Sequence, residues 1–310
     1  MENKLIYEFS SHKTDGDASL NNLLGGKGAN LAEMSKLGIQ VPPGFTITTE
    51  ACNYFSKNKR LPDGLKDEIR SSVSLLENYS QKSFGTGSSP LLLSVRSGGM
   101  ISMPGMMDSI LNIGVNDENV VDLAKAFDDE RFALDSYRRL IQMYSNVVLG
   151  VEHERFEAVI ANKKRMDNVV SDADFNVDQL DWIINAYKNT VERFTNSPFP
   201  QDPHEQLQGA VEAVFRSWQN KRAVTYRKIN NIPDTLGTGA TVQTMVFGNL
   251  NDNSGTGVAF TRNPSSGAKE LYGEYLINAQ GEDVVAGIRT PHSISNNSTV
   301  EQESLESKFP

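Results

Sequence analysis

Hydrophobic and polar positions follow three different patterns along the chain, and each pattern predicts a different kind of structure. In the first part, "KLIYEF", "VPPGFTITT" and "LLLSV" are short apolar or alternating runs that predict strands. Residues 49–58 and 63–80 have helical spacing, and so does "GGKGANLAEMSKLG", whose helix should end at Gly38. The first part therefore mixes strands and helices.

From about residue 116 to residue 230 the pattern is almost entirely helical. Apolar residues recur at i, i+3 and i+4 in "DENVVDLAKAF", "DERFALDSYRRLIQMYSNVV", "VDQLDWIINAYKNTVERF" and "DPHEQLQGAVEAVFRSWQNKRAVTYRKIN". After residue 236 strands are predicted again, in "ATVQTMVFG", "GTGVAFTRNP", "KELYGEYLINA" and "DVVAGIR". We predict an α/β (α+β) protein in three parts: an N-terminal α/β lobe at 1–115, a helical subdomain at 116–200, and a linking helix with an antiparallel strand lobe at 201–310.

Composition and charge narrow the range of functions. The 310 residues include 30 Lys and Arg and 39 Asp and Glu. The resulting net charge of −9 argues against a nucleic-acid partner. The single cysteine, Cys52, excludes an internal disulfide and fits a reducing compartment. No apolar run approaches the roughly 18 residues of a membrane span, and the N-terminus lacks the apolar core of a signal peptide. The sequence predicts a cytoplasmic protein with no membrane partner.

Three glycine-rich loops are the best candidates for chemistry. "LLGGKGAN" and "SVRSGGM" each carry one cation, Lys27 and Arg96, and "NDNSGTGVAF" carries the Thr256 hydroxyl beside Gly257. Glycine lets a backbone approach an anion closely, while lysine and arginine neutralise its charge. Together the three loops resemble a cradle for a polyphosphate.

Simpler interpretations exist for each of these features. A single glycine loop is more often a plain turn, and Lys27 is also consistent with a solvated helix start. The four methionines between residues 100 and 107 are typical core gap-fillers, although the glycines and Pro104 among them favour a mobile apolar flap. Glu282, which follows a glycine, is by itself most simply a turn carboxylate. The sequence lacks a P-loop, a Ser-His-Asp arrangement and histidines at metal-ligand spacing.

Four segments carry a resemblance to a known family. "GGKGANLAEMSKLGIQVPPGFTIT", "LLLSVRSGGMISMPGMMDSILNIG", "GTGVAFTRNPSSG" and "GEYLINAQGEDVVAGIRTP" closely resemble the N-terminal nucleotide-binding domain of the pyruvate, phosphate dikinase family of PEP-utilising enzymes. The resemblance covers most of the chain, and the Ser-Met-Pro-Gly-Met-Met-Asp run separates this family from the related phosphoenolpyruvate synthases. It implies an ATP-grasp-like fold whose two lobes hold ATP, with the helical subdomain inserted.

The resemblance also implies an activity and a set of site residues. The family interconverts ATP, pyruvate and orthophosphate with AMP, phosphoenolpyruvate and pyrophosphate, with Mg²⁺ as cofactor. Its N-terminal domain passes the β-phosphate of ATP to a histidine on a separate domain of the same chain, and the γ-phosphate to orthophosphate. By motif, the catalytic residues are Lys27, Arg96 and Glu282, the adenine neighbours are Gln243 and Met245, and the loop over the phosphates contains Thr256 and Gly257.

Some features of the family are missing from the 310 residues. The chain ends before the family's Asp-x-Glu magnesium ligands, and the Gly-Gly-x-Thr-Ser-His motif of the phosphorylated histidine does not occur. We therefore assign no metal ligand and no catalytic histidine. We expect a C-terminally truncated piece of a larger, homo-oligomeric enzyme, inactive by itself and with weakened affinity for nucleotide and magnesium.

Two other functions stay open at this point. A phosphoenolpyruvate synthase-like dikinase would share the ATP site but use water in place of orthophosphate, so phosphate-independent turnover would favour it. A non-catalytic paralogue would bind ATP without turnover.

Overall fold

The computed structural model describes residues 4–285, 290–295 and 304–308. The chain divides into two compact units, the first unit at Met1–Met245 and the second unit at Val246–Pro310. Each unit contains its own antiparallel sheet. The mixed α/β character predicted from the sequence is therefore confirmed.

The first unit is built on a five-stranded sheet. Its strands, in spatial order, are β1 (Ile6–Phe9), β2 (Gly44–Ile47), β5 (Gly239–Thr244), β3 (Leu93–Gly98) and β4 (Ser109–Ile113). Every neighbouring pair is antiparallel. Strand β5 comes from far along the chain and lies at the centre, so the residues before 116 do not complete this sheet alone.

The helices of the first unit include those predicted at 49–58 and 63–80. They are α1 (Asn21–Lys36), α2 (Thr49–Asn58), α3 (Leu65–Ser80), α4 (Val120–Phe127), α5 (Glu130–Val147), α6 (His153–Asp167), α7 (Val177–Thr195), α8 (Pro203–Ser217) and α9 (Lys221–Ile229). Gly38 follows the end of α1 with φ 78°, and the Ile39 N–H donates to the Met34 carbonyl at 3.0 Å. This is the left-handed helix ending that the glycine predicts.

One face of the five-stranded sheet is polar. Side chains alternate along each strand, so residues paired across strands share a face. In the register of β3 and β5, Ser94 lies opposite Gln243 and Arg96 opposite Thr241, and Thr241 lies opposite Thr46 of β2. These five polar side chains therefore lie together, on strands that α1 contacts.

The other face of the sheet is apolar. Phe45, Val95 and Val242 alternate with the polar positions and have no solvent exposure. Helix α8 contacts β3, β4 and β5, and its Phe215 ring lies 5.9 Å from the Phe55 ring of α2. This apolar layer is the hydrophobic core beneath the polar face.

A buried ion cluster stabilises the helices that follow β4. Asp135 of α5 accepts contacts from Arg138 Nη2 at 2.7 Å and from Arg139 Nε at 2.9 Å. The Asp135 and Arg138 side chains are only 8% and 4% exposed. Burial opposes ionisation, yet the two guanidinium groups hold the pKa of Asp135 well below its usual range. The carboxylate is therefore charged in the folded protein.

The continuous helix predicted from residue 202 to residue 230 is wrong, because the structure forms two helices, α8 and α9, with a break between them. At the break, the Trp218 carbonyl accepts from Arg227 Nη1, and the guanidinium lies 4.1 Å from the centre of the Trp218 ring. Arg227, 1% exposed, also donates from Nε to Asp234 Oδ1 at 2.7 Å. The Trp218 carbonyl therefore accepts from an arginine side chain at the point where the helix is broken. The spacing of apolar residues does not reveal this contact.

The second unit contains a smaller sheet. Its elements are β6 (Gly255–Phe260), β7 (Tyr272–Ile277), α10 (Gly281–Val285), β8 (His292–Ser293) and α11 (Leu305–Lys308), with antiparallel strands in the order β6-β7-β8. Leu276, Ala279 and Val284 form its hydrophobic core, and Val258 packs against them.

The prediction of a strand in "DVVAGIR" is wrong for the residues of this segment that the structure describes. Residues 281–285 form helix α10, and residues 286–289 lie outside the described part of the chain. The Gln280 N–H donates to the Asp283 carboxylate at 2.8 Å, three residues ahead, as at the start of a helix. That local capping bond, with Val284 packed into the core, favours a helical turn over the extended conformation that the valines suggest.

The observed division of the chain differs from the predicted one. The sequence predicts parts at 1–115, 116–200 and 201–310, whereas the structure divides between Met245 and Val246. Strand β5 falls in the predicted third part but belongs to the first unit, because it pairs with β2 and β3. The three-part division stays a prediction about subdomains.

None of the helices in the described ranges is long and apolar enough to cross a membrane. The cytoplasmic location stays a prediction from the sequence.

Replacing Asp135 should lower the free energy of unfolding sharply. Asp135→Ala leaves two arginines without their buried carboxylate, and we expect a loss of about 3–5 kcal/mol in urea unfolding. The stabilisation that results from the lowered pKa of Asp135 is fully present above about pH 4, the ordinary pKa of an aspartate in the unfolded chain. It is lost as the pH falls below that value. Asp122→Ala, which removes a surface pair with Lys125, should cost at most about 1 kcal/mol. Equal losses for both variants would contradict the ion cluster's role.

Candidate functional site

Two glycine loops pack against each other at the polar face of the first unit. Helix α1 is interrupted at Gly25, which has φ 68° and ψ 164°. A Cβ added there would lie 1.7 Å from the Gly98 carbonyl oxygen, and the Gly26 N–H donates to the Gly99 carbonyl at 2.9 Å. Only glycine allows this approach of two backbones. Gly25 and Gly26 therefore pack the "GGKG" loop against the "SGG" loop. The Gly26 N–H is already hydrogen-bonded, so it is not free to bind a phosphate.

This packing places Lys27 beside the end of β3. Lys27 Nζ donates to the Ser97 carbonyl at 2.9 Å, and the side chain is half-buried. The Lys27 side chain also lies close to Gly98, since a Cβ added to that glycine would lie 3.1 Å from the Lys27 Cβ. Burial, together with the neighbouring charge of Arg96, lowers the pKa of Lys27 to about 8. The lysine is therefore held where its charge is unfavourable.

Arg96 is held from the side by a neutral group. Its Nη2 donates to Gln243 Oε1, and its Nε is buried without a hydrogen-bond partner. Gln243 is 4% exposed and donates from Nε2 to the Pro42 carbonyl at 2.8 Å. Burial lowers the pKa of Arg96 as well. The guanidinium keeps its charge, since its ordinary pKa is so high.

Within the described residues, neither Lys27 nor Arg96 forms an ion pair with a carboxylate. Two partly buried cations that repel each other are costly unless an anion compensates them. The arrangement can therefore bind an anion with several negative charges, such as a polyphosphate.

The methionine-rich segment 99–108 connects β3 to β4. Met103 is 6% exposed, while Met106 is half-buried. Its C-terminal end is attached to α9: Arg222 forms an ion pair with Asp108 and donates from Nε to the Met106 carbonyl at 3.1 Å, and Asn220 donates to Asp108 at 3.0 Å. The predicted flap is thus anchored at one end, and its mobility stays a prediction.

Gln243 and Met245 lie at the end of β5. The Met245 N–H donates to the Leu92 carbonyl at 2.9 Å, and its sulfur accepts from the Asn112 N–H of β4 at 3.0 Å. Met245 therefore rests against the neighbouring strands, close in sequence to the Gln243 amide that contacts Arg96. The adenine contact assigned to these two residues stays a prediction.

The remaining predicted site residues lie in the second unit. Thr256 and Gly257 are in β6, opposite Leu276 and Tyr275 of β7. A Cβ on Gly257 would lie 2.7 Å from the carbonyl of residue 274, so this glycine permits close strand pairing. Glu282 lies in α10, and its side chain falls outside the described part of the structure. The structure thus brings Lys27, Arg96 and Gln243 together and leaves the roles of the second-unit residues untested.

Two clefts in the first unit lie away from these cations. One, of about 950 Å³, is lined by Met106, Asp108 and residues of α5, α8 and α9. The other, of about 470 Å³, lies between α3 and the start of α8 and includes Arg70 and His204. Neither is lined by Lys27 or Arg96. The paired cations, and not either cleft, are therefore the candidate phosphate site.

Metal-binding side chains do not cluster in the residues that the structure covers. Among them, no group of three or more His, Cys, Asp or Glu is close enough to hold a metal ion. No residue of the described ranges is assigned as a magnesium ligand, and no step is assigned to magnesium.

Sequence comparison finds a family and close relatives for this chain. The family described as "Pyruvate phosphate dikinase, AMP/ATP-binding domain" matches residues 21–83 and 57–308. A pyruvate, phosphate dikinase from Rhizobium meliloti is 51% identical over 99% of this chain and 35% of its own length. The enzyme of that name from Clostridium symbiosum is 53% identical over 94% of this chain and 33% of its own length. The chain spans about a third of the length of the curated relatives it matches.

Substituting Gly25 should destabilise the first unit more than an ordinary glycine substitution. Gly25→Ala combines a left-handed backbone with a clash against the Gly98 carbonyl, and we expect a loss of about 3 kcal/mol or more in the free energy of unfolding. Gly64→Ala is the matched control, because Gly64 has φ 79° and open space around it. It should cost only about 1–2 kcal/mol. Similar losses would refute the close backbone packing.

Removing the Lys27 charge should stabilise the ligand-free protein in a pH-dependent way. Below about pH 8 both folded and unfolded states hold the proton, so Lys27→Met should raise the free energy of unfolding by about 1–3 kcal/mol at pH 7. Between pH 8 and 10.5 the unfolded chain binds more protons than the folded protein, so wild-type stability rises and the difference shrinks. Lys66→Met, at an exposed position, serves as control. A difference that does not change with pH would disprove the unfavourable charge.

Proposed function

The chain belongs to the family of pyruvate phosphate dikinase AMP/ATP-binding domains, and on that premise we propose that it binds ATP with the phosphates against Lys27 and Arg96. The observation that carries this proposal is the pair of partly buried cations without a carboxylate partner in the described chain. A triphosphate would supply the missing negative charge, and lysine and arginine are the side chains that bind phosphate oxygens.

The fold that we propose is ATP-grasp-like. Two compact units, each with an antiparallel sheet, support it, as does the run of helices α4 to α7 inserted between β4 and α8. By resemblance, Thr256 and Gly257 belong to the loop over the phosphates, Glu282 acts near the reacting phosphates, and Met245 lies beside adenine.

The chemistry follows from charge neutralisation and positioning. Phosphoryl transfer requires stabilisation of the charge on the phosphate oxygens, and Lys27 and Arg96 supply positive charge at one place. By resemblance to the family, we propose that the β-phosphate passes to a histidine on a separate domain and the γ-phosphate to orthophosphate, in the conversion of ATP, pyruvate and phosphate to AMP, phosphoenolpyruvate and diphosphate. We extend this role to the protein that contains the present chain.

The methionine-rich segment is proposed as a lid for this reaction. Its apolar side chains, joined to α9 through Asp108 and Arg222, would limit the access of water to the transferring phosphate. Exclusion of water favours transfer to the acceptor over hydrolysis.

Removing the arginine should weaken phosphate binding without disturbing the fold. We expect Arg96→Met to lower the affinity for ATP and for inorganic tripolyphosphate roughly 10- to 100-fold in isothermal titration calorimetry, because hydrogen bonds to a charged group are lost. Arg70→Met removes an exposed cation of α3 and should leave both affinities unchanged. Unchanged binding by Arg96→Met would show that the phosphates bind elsewhere.

A further inference from the structure

We propose that Gln243 is a positioning residue for Arg96: its side-chain amide holds the guanidinium in place for phosphate binding. Gln243 thus acts on the phosphates through Arg96, and not on the adenine base. The inference rests on the proposed ATP site, and it gives this glutamine a role that its place in β5 does not suggest.

The first support is the geometry of the two strands. Arg96 lies opposite Thr241, and Gln243 lies opposite Ser94, so Arg96 and Gln243 are diagonal neighbours on the same polar face. Long side chains reach each other across such a diagonal. The bond from Arg96 Nη2 to Gln243 Oε1 spans it.

The second support is that the orientation of the amide is fixed from behind. Gln243 Nε2 donates to the Pro42 carbonyl at 2.8 Å, which leaves Oε1 as the atom that faces Arg96. The adjoining segment is itself tied to β5, because both the N–H and the hydroxyl of Thr244 donate to the Pro43 carbonyl at 3.0 Å. A buried amide between fixed partners is a rigid acceptor.

The third support is the charge of the acceptor. A carboxylate in place of Gln243 would also fix Arg96, but it would cancel the positive charge that a phosphate needs. A neutral amide orients the guanidinium and leaves its charge intact. Arg96 Nε, buried and without a hydrogen-bond partner, is a donor that this arrangement leaves unused.

The test compares ATP with inorganic tripolyphosphate, which has no adenine. If Gln243 positions Arg96, Gln243→Met should weaken binding of both ligands by a similar factor, about tenfold in calorimetry. A loss for ATP alone, with tripolyphosphate unchanged, would identify Gln243 as an adenine contact and overturn the proposal. Gln208→Met, a half-buried glutamine of α8 bonded to Glu212, is the matched control and should change neither affinity.

Two further variants separate positioning from packing. Gln243→Glu keeps the shape of the side chain but pairs a carboxylate with Arg96, so tripolyphosphate affinity should fall further than in Gln243→Met. In the Arg96→Met background, Gln243→Met should have no additional effect on tripolyphosphate affinity, because the group it positions is gone. Additive losses in the double variant would refute the coupling.

A measurement on the protein without ligand tests the Arg96–Gln243 bond independently of ATP binding. In the NMR spectrum of the free protein, the bond to Gln243 should slow rotation of the Arg96 guanidinium and give distinct Nη signals, which Gln243→Met should average. If the wild-type chain bound neither ligand, the proposed function would fail while this readout still tested the pairing. Identical Arg96 signals in both proteins, with unchanged circular dichroism, would overturn it.

Discussion

The close approach of Gly25 to the Gly98 carbonyl determines how the first unit is arranged around its polar face. A side chain at Gly25 would overlap that oxygen, so helix α1 can start beside the end of β3 only because the position is glycine. This contact brings two loops that are 70 residues apart into one place, with Lys27 Nζ bonded to the Ser97 carbonyl. The juxtaposition of Lys27 and Arg96 follows from the backbone packing and not from any attraction between the two cations.

That arrangement has an energetic consequence for the whole unit. Two partly buried positive charges, one with a pKa lowered to about 8, reduce the stability of the ligand-free protein. The same charges are a source of binding energy for an anion, since a ligand that binds only the folded state stabilises it. Asp135 shows the contrasting solution elsewhere in the unit: there two arginines are compensated by a buried carboxylate, and the cluster is complete without a ligand.

Strand β5 connects the two halves of the five-stranded sheet on which this arrangement is built. It lies between β2 and β3 and carries Gln243 on the same face as Arg96. Because β5 follows the helices α4 to α9 in sequence, the strand that completes the polar face lies beyond all of these helices along the chain. The helical segment is therefore an insertion into one sheet and not a separate continuation of it.

The sequence alone determined most of the local elements and predicted the chemical class of the site. Apolar spacing predicted helices α2, α3 and α7 and strands β1 and β3, and the glycine loops with Lys27 and Arg96 predicted a phosphate-binding chemistry. Apolar spacing failed where specific polar contacts decide: the break between α8 and α9 depends on Trp218 and Arg227, and the helix α10 depends on a capping bond. Only the tertiary structure decided which glycine N–H groups are already bonded and that Gln243 faces Arg96, because strand register and backbone packing join residues that no local pattern relates.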